Sequence, residues 1–156
     1  MSEFIVEVFP RGKDFDGMDI VSDIKEIGIK GVSRVSTSRL YVMSIPGSGI
    51  DDAAKEKIAS EILTDPVSED FSITRRKADG VDITVSFKPG VLDLEGRRVV
   101  EALDITGNPG ISEARAMRRY IIKFEQPPDA GVCDYLSSSL LYNKVIQKAD
   151  ITIETD

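Results

Sequence analysis

The feature that most constrains this chain is that it contains the same module twice. Residues 9–17 read FPRGKDFDG and residues 88–96 read KPGVLDLEG, so Pro10, Asp14 and Gly17 are answered by Pro89, Asp93 and Gly96 at one constant offset of 79 residues. A fixed period is the mark of a repeated supersecondary unit, and any fold assigned to one copy has to serve the other. The offset aligns residues 4–45 with 83–124 without a gap, and adds the identities Val6/Val85, Gly28/Gly107, Gly31/Gly110, Ser33/Ser112, Arg39/Arg118 and Tyr41/Tyr120. A one-residue shift then aligns 57–73 with 135–151. The polar stretch TRRKADGVD at 74–82, with its Asp79-Gly80 turn, divides the chain into modules 1–77 and 78–156. Its Arg75, Arg76 and Lys77 read as a solvated linker, with anion docking as the alternative.

Each copy carries the same local grammar. Phe4, Val6 and Val8, like Ile83, Val85 and Phe87, alternate as a strand does. Asp14 and Asp93 stand at the N-cap of a helix whose apolar positions in the first copy are Ile20, Val21, Ile24 and Ile27, and Gly28 and Gly107 mark where the chain leaves it. RLYVMSI and RRYIIKF follow as β-branched and aromatic strands. A second helix is opened by Asp51 or Asp52 in one copy and by Asp129 in the other, and short strands DFSIT and DITIE close the copies. The expected fold class is α+β, two tandem strand-helix-strand-helix-strand modules with a mainly antiparallel sheet and helices on one face. Tyr41, Met43 and Ile45 then oppose Leu40 and Val42 across the sheet, and the second apolar face requires a cover.

Composition narrows the chemistry. A formal charge of −7 lacks the basic face that phosphate-backbone binding needs, so nucleic acid is excluded as a partner. No apolar run approaches the roughly 20 residues of a membrane span, which points to a cytoplasmic protein with no membrane partner. There is no histidine, the commonest general base and metal ligand, and the one cysteine, Cys133, lies on a core-patterned helix stripe. Neither a thiolate nucleophile with its base nor a lysine-bearing phosphate loop is present, so no catalytic residue, metal or cofactor is expected. Acidic pairs such as Asp51-Asp52 read as helix caps.

KPGVLDLEG, followed by an amphipathic helix, a glycine, a strand and then LLYNKVIQKADITI, resembles the PurS family, the small subunit of phosphoribosylformylglycinamidine synthase. In the first copy ILTDPVSEDFSI carries the resemblance better and FPRGKDFDG less well. The resemblance implies a PurS-like pseudo-dimer within one chain and a non-catalytic role in de novo purine biosynthesis. It implies as partners the ATP-dependent synthetase and the glutaminase subunits, joined so that ammonia from glutamine reaches the formylglycinamide ribonucleotide. It also leaves room for a further homo-oligomer, and for the chain being the front of a longer synthetase. Pro89, Gly90, Val91, Leu92, Asp93 and Gly96 match the family's opening motif. Arg118 stands where the family has a lysine after a glycine, but the preceding residue here is Met117, and Ser38 in the first copy. With Arg39 and Arg119, expected to be exposed at the strand starts, and Tyr41 and Tyr120, these residues are the candidates for partner contacts.

A second function class fits the same element order. Ferredoxin-like or ACT-like tandem modules bind small molecules at glycine turns, and Gly28–Gly31 and Gly107–Gly110 would supply such turns in a regulatory sensor.

Overall fold

Capping and alternation produce the expected elements in both halves of the chain, in a computed structural model that describes residues 2–47, 49–108 and 110–153. The first half comprises β1 (Ser2–Pro10), α1 (Phe15–Glu26), β2 (Val32–Ile45), α2 (Asp52–Ile58) and β3 (Glu69–Ser72). The second comprises β4 (Val81–Phe87), α3 (Leu94–Ile105), β5 (Glu113–Phe124), α4 (Ala130–Leu136) and β6 (Gln147–Thr152). Helices α2 and α4 each continue through one π-helical turn, Ala59–Leu63 and Ser137–Leu141. The fold is α+β, and its six strands follow the order β3-β1-β2-β5-β4-β6.

Registers repeat as the sequence does. Strand β1 pairs antiparallel with β2, setting Val6 opposite Tyr41 and Val8 opposite Arg39, and with β3, setting Val8 opposite Phe71 and Pro10 opposite Glu69. Strand β4 sets Ile83 opposite Tyr120 and Val85 opposite Arg118 in β5, and Val85 opposite Ala149 and Phe87 opposite Gln147 in β6.

The compact units do not follow the repeat boundary. One holds β1, Ser38–Arg76 and Leu92–Met117, and so takes its long helix, α3, from the second half of the sequence. The other holds Lys13–Thr37, Lys77–Val91 and the chain from Arg118 onward, and takes α1 from the first half. In the first unit Leu103 of α3 and Ile58 of α2 pack on Val6, Tyr41 and Met43. In the second, Ile24 of α1 and Leu136 of α4 pack on Ile83, Val85 and Ile122. Leu103, Ile24, Ile83 and Leu136 are fully buried, each worth about 1.5–3 kcal/mol.

The repeated Pro, Asp and Gly have a structural explanation. The Asp14 carboxylate accepts from Gly17 N at 2.8 Å as the helix cap, and also from Thr37 N at 2.5 Å and Thr37 Oγ1 at 2.8 Å. Asp93 likewise accepts from Gly96 N at 2.9 Å and from Ala116 N at 2.8 Å. One carboxylate therefore fixes both the start of a helix and the strand beside it. The glycine is required by close approach, because a Cβ at Gly17 would lie 2.0 Å from Val35 O and one at Gly96 2.1 Å from Ala114 O. Gly28 and Gly107 end α1 and α3 with φ of 89° and 81°, a left-handed conformation that residues with a side chain rarely adopt.

The first unit's sheet face opposite the helices carries Leu40 and Val42, both buried, together with polar groups. Glu7, fully buried, accepts from Ser38 Oγ at 2.6 Å and from Arg76 N at 2.7 Å. The Arg76 guanidinium stacks 3.6 Å above the centre of the Phe9 ring. The basic stretch after β3 is thus a packed strap at Arg76, not a solvated linker.

Candidate functional site

Of the sequence candidates, Arg39 and Tyr41 lie in one connected network in the first unit. Strand alternation puts both on the helix-covered face, since Val8 and Val6, their partners in β1, belong to that core. Arg39 donates to the Glu69 carboxylate through Nη1 at 2.5 Å and Nη2 at 3.0 Å, and Nη2 also donates to Leu63 O at 3.2 Å, at the end of the π-helical turn. Its Nε donates to Tyr41 Oη at 2.9 Å, and the Tyr41 hydroxyl donates to Glu95 Oε1 at 3.0 Å. The ion-paired side chains are 26% and 18% exposed, so water screens them only partly.

Electrostatics follow from that geometry. Burial opposes the Arg39 charge, but the Glu69 hydrogen bonds and the Tyr41 contacts outweigh it and raise the guanidinium above its ordinary pKa. The Arg39 hydrogen bonds hold the Glu69 carboxyl below the usual range against the opposing effect of burial. Burial raises the Tyr41 phenol. This is a fixed, satisfied cluster with no group poised for proton transfer.

The second unit carries the same frame with different chemistry. Arg118 is exposed, and among the described residues its side chain makes no ion pair or hydrogen bond. Gln147 stands at the position of Glu69, and Asp16 at that of Glu95. Gln147 still does one of Glu69's jobs: its Oε1 accepts from Asn143 N at 2.9 Å, as Glu69 Oε1 accepts from Asp65 N at 3.0 Å. Burial raises the Tyr120 phenol, while the nearby Arg118 charge lowers it and the Asp16 charge raises it.

The remaining candidates are placed as follows. Pro89, Gly90 and Leu92 are exposed in the turn before α3, and Val91 is half-buried. Asp93 and Gly96 are occupied by the cap and the close approach to β5. Arg119 is not exposed as expected: it is 1% exposed, and its Nε and Nη2 donate to Asp82 at 3.1 and 2.8 Å. Alternation along β5 sends Arg119 to the face opposite Arg118 and Tyr120, where that carboxylate receives it. Cys133 is a core residue 2% exposed, and burial first, then Asp129 and Asp134, push its thiol pKa up. The Gly28–Gly31 turn borders an open groove with Phe124, Pro127 and Val132 in the second unit. In the Gly107–Gly110 turn, Pro109 lies outside the described residues.

Glu69 and Glu95, which complete the network, were not among the sequence candidates. The signal was available, because the shifted alignment pairs Glu69 with Gln147 and so marks a charge present in one copy only.

Comparison with known proteins finds a family match in the second half of the repeat. The family model described as PurS, phosphoribosylformylglycinamidine (FGAM) synthase, matches residues 80–155. The phosphoribosylformylglycinamidine synthase subunit PurS of Mycobacterium leprae is 30% identical over 73 residues, which make up 92% of that protein and 47% of this chain. That relative therefore has the length of a single repeat.

Proposed function

This chain belongs to the PurS family, and on that premise we propose that it is a non-catalytic assembly subunit of phosphoribosylformylglycinamidine synthase, acting in de novo purine biosynthesis in the cytoplasm. In this reading it joins an ATP-dependent synthetase subunit to a glutaminase subunit and supports ammonia transfer between them. Its two modules, 1–77 and 78–156, stand in for two separate copies of the single-module subunit.

The observation that carries the reading is the doubled module itself. Each half supplies the same strands, helices and capping carboxylate, and a family relative has the length of one half. The chemistry of the chain agrees: it has no histidine, and its one thiol is packed in a core with a raised pKa. The polar residues brought together around Arg39 are mutually satisfied, as befits a structural cluster.

Reconstitution tests the proposal. The purified chain alone should not hydrolyse glutamine, and adding it to the synthetase and glutaminase subunits of its own source should give a stable complex and restore glutamine-dependent amidation. Glutamine turnover by the isolated chain, or full activity of the two large subunits without it, would overturn the assembly role. The groove at Gly28–Gly31 favours a second reading, a small-molecule sensor. A thermal-shift screen with amino acids and nucleotides separates the two, because a sensor gains stability with ligand occupancy whereas a scaffold gives a flat response.

A further inference from the structure

The two copies of the arginine-tyrosine pair differ in one respect that the fold does not require. In the first unit Arg39 is closed by an internal carboxylate that takes both of its terminal nitrogens. In the second unit the repeat position that answers Glu69 is held by Gln147, which keeps the bond to the turn backbone and lacks the charge. The other acidic member is shortened as well: Glu95 reaches the Tyr41 hydroxyl, but Asp16, one methylene shorter, makes no hydrogen bond to Tyr120 and no ion pair with Arg118. Backbone registers are the same at the two places, with Arg39 aligned on Val8 and Phe71 and Arg118 on Val85 and Ala149. Arg118 therefore stands in a frame built to hold a carboxylate, with the internal carboxylate removed.

Resting on the assembly role proposed above, we infer that the Arg118–Tyr120 face of the second unit receives a carboxylate side chain, Asp or Glu, from a partner protein of the complex. The incoming carboxylate takes the place that Glu69 fills in the first unit, accepting from the Arg118 guanidinium beside the Tyr120 ring. A protein side chain suits the site better than a free small acid. Arg118 is exposed, so a free acid would gain one guanidinium contact that water screens. A protein surface adds apolar area, and exposed apolar side chains stand within two residues of both repeat positions: Phe15 and Met18 beside Asp16 in the chain, 68% and 55% exposed, and Val145 before Gln147, 80% exposed. Once that area excludes water, the same ion pair becomes strong and orienting.

The test measures assembly of the whole chain with the synthetase and glutaminase subunits of its own source, by calorimetry or analytical ultracentrifugation. Arg118→Ala should weaken the complex about tenfold to a hundredfold. Gln147→Glu should weaken it comparably by filling the site from within, and should raise the melting temperature of the free chain as the internal pair forms. Arg97→Ala, on an exposed face of α3, should leave affinity unchanged. Wild-type affinity in both Arg118→Ala and Gln147→Glu would overturn the carboxylate site and leave the assembly role standing. Absence of any complex with the unaltered chain would overturn both. Saturable binding of free glutamate or citrate that Arg118→Ala abolishes, with complex affinity unaltered, would make this a small-acid site and overturn the docking inference.

Discussion

Replacing Glu69 by Gln gives the first unit the side chain that the second already has at Gln147. The carboxylate makes two charge-assisted bonds to Arg39, at 2.5 and 3.0 Å, and one to Asp65 N. An amide oxygen keeps the Asp65 bond and can accept from only one side of the guanidinium, which stays half-buried. An exposed pair is worth about 0–1 kcal/mol and breaking a fully buried pair costs about 3–5 kcal/mol. With side chains 26% and 18% exposed and one neutral hydrogen bond retained, the expected loss is about 2 kcal/mol at pH 7. In a chain of 156 residues that lowers Tm by about 4–8 °C, readable by calorimetry or by the urea midpoint. The pH dependence has a definite sign. Arg39 holds the Glu69 carboxyl below its ordinary value, so its contribution is complete above about pH 5 and fades as pH falls through the lowered folded value. The gap between wild type and Glu69→Gln should therefore be full at pH 7 and narrow as pH falls below the ordinary carboxylate range. Equal stability at pH 7, or an equal gap at pH 7 and pH 3, would refute the assigned ion pair.

Two further perturbations address the frame around the site. Gly96→Ala places a methyl carbon 2.1 Å from Ala114 O on an otherwise ordinary backbone, so each of Gly96→Ala and Gly17→Ala should cost about 3 kcal/mol in urea unfolding; a loss below about 0.5 kcal/mol would refute the close approach. The Cys133 thiol, buried and raised in pKa, should react with a disulfide reagent at least about a hundredfold more slowly in the native chain than in urea, and equal rates would refute its place in the core.

The elements were legible in sequence because their signals are local. Asp14, Asp93, Asp51 and Asp129 cap the helices where their spacing to the apolar stripe put them, and Gly28 and Gly107 end the long ones. The composition of the compact units was not legible. The apolar stripe of α1 has the same period whether it packs on strands of its own half or of the other, so periodicity carries no information about where Ile24 is buried. Arg119 was misread for a related reason. Alternation in RRYIIKF sets it opposite Tyr120, but whether that face is wet depends on what covers it, and two adjacent arginines at a strand start look like solubilising charges. The π-helical turns that end α2 and α4 leave no period of their own in so few residues.

What the two copies share and where they part company follow different physics. The shared positions make the fold: capping carboxylates, the glycines under Val35 O and Ala114 O, and the buried stripes on each helix. The differing positions are largely charges: Glu69 against Gln147, Glu95 against Asp16, a buried Glu7 tied to Arg76 in one unit and a buried Arg119 tied to Asp82 in the other. Two identical modules present the same surface twice and have no means of telling one partner from another. Covalent fusion lifts that restriction, because each copy can then lose a charge that the other keeps. Loss of a carboxylate from an arginine's partner position costs least where the arginine is well hydrated, and Arg118 is exposed while Arg39 is half-buried. The asymmetry is thus tolerated at the exposed copy of this repeated polar cluster, which is also the copy a partner could reach.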